Sequence, residues 1–218
     1  HIANSKSEEL KEKYLIPGIK GELTGCLAIS EPHAGSDVAN IKTKAEKNGD
    51  HYIINGSKTF ITNGVSSDFL VTAVRTGGKG YDGISMIVID KNAPGLTATP
   101  LKKLGWHASD TGEIAFDNVK VPITNLISEE NQGFYSIMQR FELERIILST
   151  GALATAEYTL DYGLNYLNER SAFGRPLNKF QELRHRVAQL SAELESLKAF
   201  NYQTCKALDD KKNVTKEC

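Results

Sequence analysis

The stretch Asn48-Gly49-Asp50-His51-Tyr52-Ile53-Ile54-Asn55-Gly56-Ser57-Lys58-Thr59-Phe60-Ile61-Thr62-Asn63-Gly64 sets the reading of the first half of the chain. Asn-Gly recurs in it at Asn48-Gly49, Asn55-Gly56 and Asn63-Gly64. Asn and Gly tolerate the positive φ that tight hairpin turns require. Between these pairs lie Tyr52-Ile53-Ile54 and Thr59-Phe60-Ile61-Thr62, β-branched and aromatic runs of strand length. The spacing predicts short strands joined by Asn-Gly turns.

Further runs of the same kind lie at Gly25–Ser30, Phe69–Thr76, Ile84–Asp90, Leu96–Leu101 and Gly112–Val121. Short strands with regular turns predict an antiparallel sandwich or barrel. The opening Ser7–Leu15 reads as a short helix. Of the 18 glycines and 6 prolines, only Gly151, Gly163, Gly174 and Pro176 follow Gly133. Both residues are costly inside helices, so the chain turns helical beyond that point. Phe134, Ile137, Met138 and Phe141 then mark one face of a helix. Leu183, Val187, Leu190, Leu194 and Leu197 mark a bundle seam on a second. Arg170–Asn178 connects the two, Asp209–Asn213 reads as loop, and Val214–Cys218 as the start of a third helix. Two long helices form only a hairpin and leave an apolar face to bury, so further sequence, a partner subunit or both are expected. The predicted class is α+β: an antiparallel β-sandwich or barrel domain over 22–130, then long helices of an incomplete four-helix bundle over 131–218.

The 218 residues carry 26 Lys and Arg against 27 Asp and Glu, a net charge of −1. Nothing in that balance calls for nucleic acid or an anionic membrane as partner. No apolar run approaches the ~20 residues that span a bilayer. The opening HIANSKSEELKEKYL is charged and has no apolar core, which argues against a signal peptide. Three cysteines, Cys26, Cys205 and Cys218, argue against a disulfide framework and for a reducing compartment.

Gly78-Lys79-Gly80-Tyr81-Asp82-Gly83 matches a dinucleotide fingerprint literally, but the strand-like Ile84–Asp90 follows where a helix is needed. A hairpin loop is the better reading. The five histidines share no metal-ligand spacing with one another or with a cysteine, and no G-x-S-x-G elbow is present. Glu31-Pro32-His33-Ala34-Gly35-Ser36-Asp37 follows a strand and contains small residues. Such a loop can present backbone N–H groups and a hydroxyl to a phosphate, or simply cap itself. Glu144 follows Phe141 by three and so lies near the apolar helix face. A carboxylate there is a general base toward an apolar cavity, or else part of a solvated stripe or an internal ion pair with Arg145.

Six segments, in order, resemble the acyl-CoA dehydrogenase family. They are Lys11–Leu15 (KEKYL), Ala28–Val38 (AISEPHAGSDV), Tyr52–Asn63 (YIINGSKTFITN), Gly105–Thr111 (GWHASDT), Phe116–Pro122 (FDNVKVP) and Glu169–Pro176 (ERSAFGRP). The resemblance implies that 1–21 is the end of an N-terminal helical domain, 22–130 a flavin- and substrate-binding β-domain, and 131–218 the first part of a C-terminal helical bundle. It implies FAD-dependent α,β-dehydrogenation of an acyl-CoA thioester to trans-2-enoyl-CoA, with electrons passing to electron-transfer flavoprotein. It implies flavin contacts at Leu27, Ile29, Ser30, Gly35, Ser36, Phe60 and Thr62, with Thr62 at the flavin N5. Arg170, Phe173 and Gln181 match residues that reach the FAD of a neighbouring subunit, which implies a homodimer or homotetramer. Glu144-Arg145 matches the base position of the isovaleryl- and long-chain-type members. Ser36, Glu142, Leu143 and Arg145 fall near the CoA end of the substrate. The implied setting is bacterial cytoplasm or mitochondrial matrix. Two other readings stay open: a flavin-binding or assembly fragment without catalysis, and a related flavin oxidase or monooxygenase.

Overall fold

The structure, a computed structural model, describes residues 1–218. The chain divides into two compact units, His1–Met138 and Gln139–Cys218. The first unit opens with α1 (Glu8–Leu10), a π-helical turn at Lys11–Leu15 and α2 (Ile16–Lys20). Ser7 caps the run, its Oγ accepting the Leu10 N–H at 3.2 Å. The run goes past the predicted Leu15 because Pro17 stands in the first turn of α2, where a missing N–H costs nothing. Leu10 and Tyr14 are its buried residues, and the Tyr14 hydroxyl donates to Asp90 at 2.9 Å.

Seven strands follow: β1 (Gly25–Ala28), β2 (Lys44–Asn48), β3 (His51–Thr62), β4 (Phe69–Arg75), β5 (Ile84–Asp90), β6 (Leu96–Pro100) and β7 (Thr111–Pro122). They form one curled sheet in the order β1-β4-β2-β3-β7-β6, with β5 on the far side of β4. The α+β class stands. The sheet is mixed, however, rather than wholly antiparallel. The β2–β3, β3–β7, β4–β5 and β6–β7 pairs are antiparallel, whereas β1 runs parallel to β4 and β2 meets β4 in parallel at Lys44 and Arg75. The reason is connectivity: β1 reaches β4 only through β2 and β3, and a crossover permits parallel pairing.

The Asn-Gly pairs divide in their roles. Asn48-Gly49 turns the β2–β3 hairpin, with Gly49 at φ 64°. Asn55-Gly56 does not turn the chain. It lies inside a single long β3, opposite a β-bulge of β7, where two steps from Ile54 to Gly56 face three from Val119 to Phe116. A Cβ at Gly56 would lie 2.6 Å from the Thr43 Cα, and φ there is 146°, so glycine is required. Strand β2 escapes the sequence reading because only Ala45 of Lys44–Asn48 is buried.

The core of this unit gathers Ala28, Tyr52, Ile54, Leu70, Val74, Ile87, Ile89, Ile114, Phe116 and Val119. Strands β4 and β5 are buried at every position but the last. One sheet-wide detail positions the site. Along β4, the pairing on one side passes from β1 (Phe69–Thr72) to β2 (Arg75). Along β3, β2 pairs with the first half, and the Thr59 N–H donates to the Ser30 carbonyl just beyond β1. Strands β1 and β2 thus share one slot end to end, and residues 29–43 leave the sheet where one hands over to the other.

The long helix α3 (Gly133–Glu169) begins in the first unit, where Ile137 is fully buried. In the second unit it continues into a two-residue hairpin, β8 (Ser171–Ala172) and β9 (Arg175–Pro176), and then α4 (Gln181–Asp209). Asn201 bonds to both Ser149 and Thr150 across the pair, and Lys198 to Glu157. Leu183, Val187, Leu190 and Leu194 are half-buried as the seam predicts, while Leu197 is exposed. Val214–Cys218 makes one turn, begun by the Asn213 side chain accepting the Thr215 N–H. No helix is long and apolar enough to cross a membrane.

Candidate functional site

The handover between β1 and β2 leaves backbone polar groups with no ladder to join, and two buried side chains satisfy them. The Lys58 ammonium, fully buried, donates to the Ile29 carbonyl and to the Glu31 carboxylate, both at 2.8 Å. The Glu31 carboxylate accepts the Lys42 N–H at 2.6 Å and the Thr43 N–H at 3.0 Å. Burial pushes the Lys58 ammonium down to about 8, with Glu31 restoring only part of the shift. Burial also opposes the Glu31 charge, but Lys58 and the two backbone donors outweigh it and hold the carboxyl below its ordinary range. Neither residue drew a role from the sequence, although a signal was there. Period-two alternation from Tyr52 and Ile54 carries Lys58 to the inward face.

Beyond Glu31 the chain closes on itself, Glu31 and Ala34 exchanging backbone hydrogen bonds at 3.0 Å. Gly35 and Ser36 follow, both exposed. A Cβ at Gly35 would meet nothing within 4 Å, so no protein neighbour demands glycine there. The position suits a ligand that approaches the backbone closely.

On β3 the alternation breaks. A second register shift, between Lys58 and Ile61, turns Phe60 outward at φ 59° and 72% exposed. For a bulky residue this conformation costs about 1–3 kcal/mol, and such strain gathers at functional sites. Strict alternation would have buried that ring. Thr62 ends the strand with an exposed side chain. The turn after it is clamped by Asp110, whose carboxylate accepts the Val65 N–H and the Ser66 hydroxyl at 2.7 Å each. Trp106 in the adjoining loop repeats the pattern, at φ 56° and 87% exposed.

In the first unit the Thr59 N–H to Ser30 carbonyl bond and the Lys58 to Ile29 carbonyl bond set the segment that carries Leu27 and Ser30 beside the one that carries Phe60 and Thr62, and Gly35 and Ser36 follow the Glu31–Ala34 turn. Leu27 and Ser30 are half-buried; Ile29 is 5% exposed and can offer only its backbone. The donor set is hydroxyls and backbone amides beside one outward aromatic face. That chemistry fits a flat heteroaromatic ring with polar edges and a phosphate tail. Gly78–Gly83 is a loop leading into β5, with Arg75 donating to the Gly78 and Gly80 carbonyls. That is the hairpin reading.

The second unit carries the other residues. Glu142, Leu143, Glu144 and Arg145 share one turn of α3 but fan around it. Glu142 accepts the Thr215 hydroxyl at 2.6 Å, and Arg145 lines a cavity of about 360 Å³ with Ile146, Leu153, Phe200 and Cys218. Glu144 is exposed, and Ile147 and Leu148, three and four residues on, are 60% and 72% exposed. The carboxylate thus stands beside an uncovered apolar stripe. Phe173 and Gly174 take positive φ at the tip of the β8–β9 hairpin, a turn of the I′ kind, and Phe173 is 94% exposed. Arg170 brackets that hairpin, its carbonyl accepting the Leu177 N–H, and Gln181 opens α4.

Residues 26–119 match the acyl-CoA dehydrogenase middle domain, and residues 131–218 match the acyl-CoA dehydrogenase C-terminal domain. Mitochondrial isovaleryl-CoA dehydrogenase of Pongo abelii is 39% identical over 221 residues, 100% of this chain and 52% of that protein. The crystal structure of a probable acyl CoA dehydrogenase from Mycobacterium abscessus has a TM-score of 0.96 and 44% identity, covering 100% of this chain and 58% of its own. A glutaryl-CoA dehydrogenase from Mycobacterium smegmatis in complex with FADH2 has a TM-score of 0.90 and 28% identity, covering 99% and 55%. The chain spans about half the length of the curated relatives it matches.

Proposed function

The chain belongs to the acyl-CoA dehydrogenase family, and from that premise we propose that its protein removes hydrogen from Cα and Cβ of an acyl-CoA thioester to give trans-2-enoyl-CoA. FAD is the proposed cofactor, held by Leu27, Ser30 and the Ile29 backbone on one arm, Phe60 and Thr62 on the other, and Gly35 and Ser36 at its phosphates. The observation that carries this is Phe60, turned outward at φ 59° against the strand's own alternation and 72% exposed beside Ser30 and Thr62. An aromatic face held out at a strain cost suits a planar ring stacked on it.

Bound flavin supplies a hydride acceptor for Cβ. The chain's own part is acid–base chemistry and placement. Glu144 takes the α-proton as general base. An α-proton of a thioester is weakly acidic, so the developing enolate needs hydrogen-bond donors and a water-poor slot. The exposed Ile147 and Leu148 beside Glu144 support this role, because covering that stripe would place the carboxylate in apolar surroundings. Glu142, Leu143, Arg145 and Ser36 serve the CoA end. Arg170, Phe173 and Gln181 reach a neighbouring subunit's FAD, and the protruding Phe173 supports a composite site in a dimer or tetramer. Electron-transfer flavoprotein receives the electrons, and the setting is mitochondrial matrix or bacterial cytoplasm.

The test uses the full-length protein, purified and mixed anaerobically with acyl-CoA substrates while flavin absorbance is followed. Bleaching is expected in the wild type. Glu144→Gln is expected to slow it by about 10²–10⁴-fold with FAD retained. Undiminished bleaching in that variant would remove Glu144 as base. A folded, colourless protein would favour an assembly role, and oxygen consumption with substrate would identify an oxidase.

A further inference from the structure

We infer that the buried Lys58–Glu31 pair consists of positioning residues for the flavin, holding the two arms of its cradle at a fixed separation together with the Thr59–Ser30 backbone bond, where the ladder is otherwise interrupted. The inference rests on the flavin reading above and adds to it two residues that touch neither ring nor substrate.

The argument begins with backbone accounting. Buried N–H and C=O groups must find partners. In most of this sheet the ladders provide them. Between β1 and β2 the ladder is interrupted; Arg75 takes the Ala39 and Ile41 carbonyls, and the Ile29 carbonyl and the Lys42 and Thr43 N–H groups fall to the buried pair. Lys58 takes the Ile29 carbonyl at 2.8 Å and Glu31 takes the two N–H groups at 2.6 and 3.0 Å. Their mutual bond, also 2.8 Å, closes the set. Glu31 follows Ser30 directly, and Lys58 precedes Phe60 by two residues. One buried contact therefore joins the Leu27–Ser30 arm to the Phe60–Thr62 arm. It also fixes the start of the turn that presents Gly35 and Ser36.

A pair of this kind is not explained by stability. Removing two charges from water costs more than most buried ion pairs return, and apolar pairs of similar volume serve at least as well. Side chains at 0% and 2% exposure, with most of their bonds directed at the segments that hold the arms and one Glu31 oxygen also 3.4 Å from the His33 ring, fit a role in geometry instead. The strained Phe60 needs such support, because an αL phenylalanine persists only when its surroundings overdetermine it.

The test compares the full-length protein with Lys58→Met and Glu31→Gln. Lys198→Met, which breaks the Glu157 pair on the helices, is the control. Thermal unfolding and far-UV circular dichroism report the fold, fluorescence titration reports FAD affinity, and the flavin absorption envelope reports the ring's surroundings. Folded Lys58→Met or Glu31→Gln protein is expected to bind FAD about tenfold or more weakly, with a shifted absorption envelope, while the control keeps both. Folded variants whose FAD affinity and spectrum match the wild type overturn the inference. So does failure of both variants to fold, which would make the pair a determinant of the sheet. Wild-type protein that binds no FAD would fail the flavin reading itself, and that result is separate from either.

Discussion

The sheet of the first unit and the helix pair of the second differ in how completely they bury their own apolar residues. In β4 and β5 every residue but the last is buried, and the core continues through Tyr52, Ile54, Ile114 and Val119. In Gln139–Cys218 only Ile146, Thr204 and Val214 are buried. Ile147, Leu148, Tyr158, Tyr162, Tyr166, Leu197, Phe200 and Tyr202 all remain exposed. The proposed flavin cradle therefore stands on a self-sufficient core, and the proposed base on a helix pair that does not bury its own apolar face. Stability and cradle geometry are properties of the first unit. The environment of Glu144 depends on what packs over α3.

Four tests can break or sharpen that contrast. Ile87→Ala removes a fully buried side chain from the sheet and is expected to cost about 2–5 kcal/mol in chemical unfolding. Leu160→Ala, at a half-buried position on α3, is expected to cost about 1 kcal/mol or less. Equal costs would mean that the helix pair is as well packed as the sheet. Next comes Gly56→Ala, which forces a Cβ to within 2.6 Å of the Thr43 Cα at φ 146°. Its expected cost is about 1–3 kcal/mol, with faster amide exchange at Thr43 and Ser57. A neutral result would show that the β3–β7 bulge beside Thr43 can shift.

The third concerns acid. Glu31 titrates lower folded than unfolded, so its contribution is present above about pH 4.3 and is lost as pH falls through the folded value. Stability of the first unit should fall in that window, and Glu31→Gln should flatten the fall. Parallel curves for the two proteins would remove Glu31 as the group responsible. The smallest effect is expected from Tyr162→Ser on α3, within about 0.5 kcal/mol in this chain. A larger loss would mean that the exposed helix face is already engaged, by self-association for example, which sedimentation would detect.

Side-chain chemistry along the chain singled out two parts of the proposed site, the small residues of the Glu31–Asp37 loop with Ser36 and the carboxylate of Glu144. Ser30, Phe60 and Thr62 entered only with the family resemblance. The ion pair entered with neither, because Glu31 and Lys58 are 27 residues apart and nothing local says that they meet. Alternation along β3 does carry Lys58 inward, yet the same rule would bury Phe60. Only the second bulge corrects it. Likewise Asn55-Gly56 reads as a turn in isolation. It stays within β3 opposite a bulge of β7, and Gly56 is needed there because the adjacent Thr43 leaves no room for a Cβ.

Glycine and proline placement, strand-forming runs and helical periodicity were enough to determine an α+β chain that turns helical near Gly133. They are local signals, and each acts through the conformational preferences of a few consecutive residues. Tertiary structure alone decided that β1 runs parallel to β4, that β1 and β2 share one slot, and that the gap between them is closed by a buried lysine and glutamate. Those outcomes depend on which backbone groups are left without partners once distant strands have paired, and that accounting exists only in the assembled sheet.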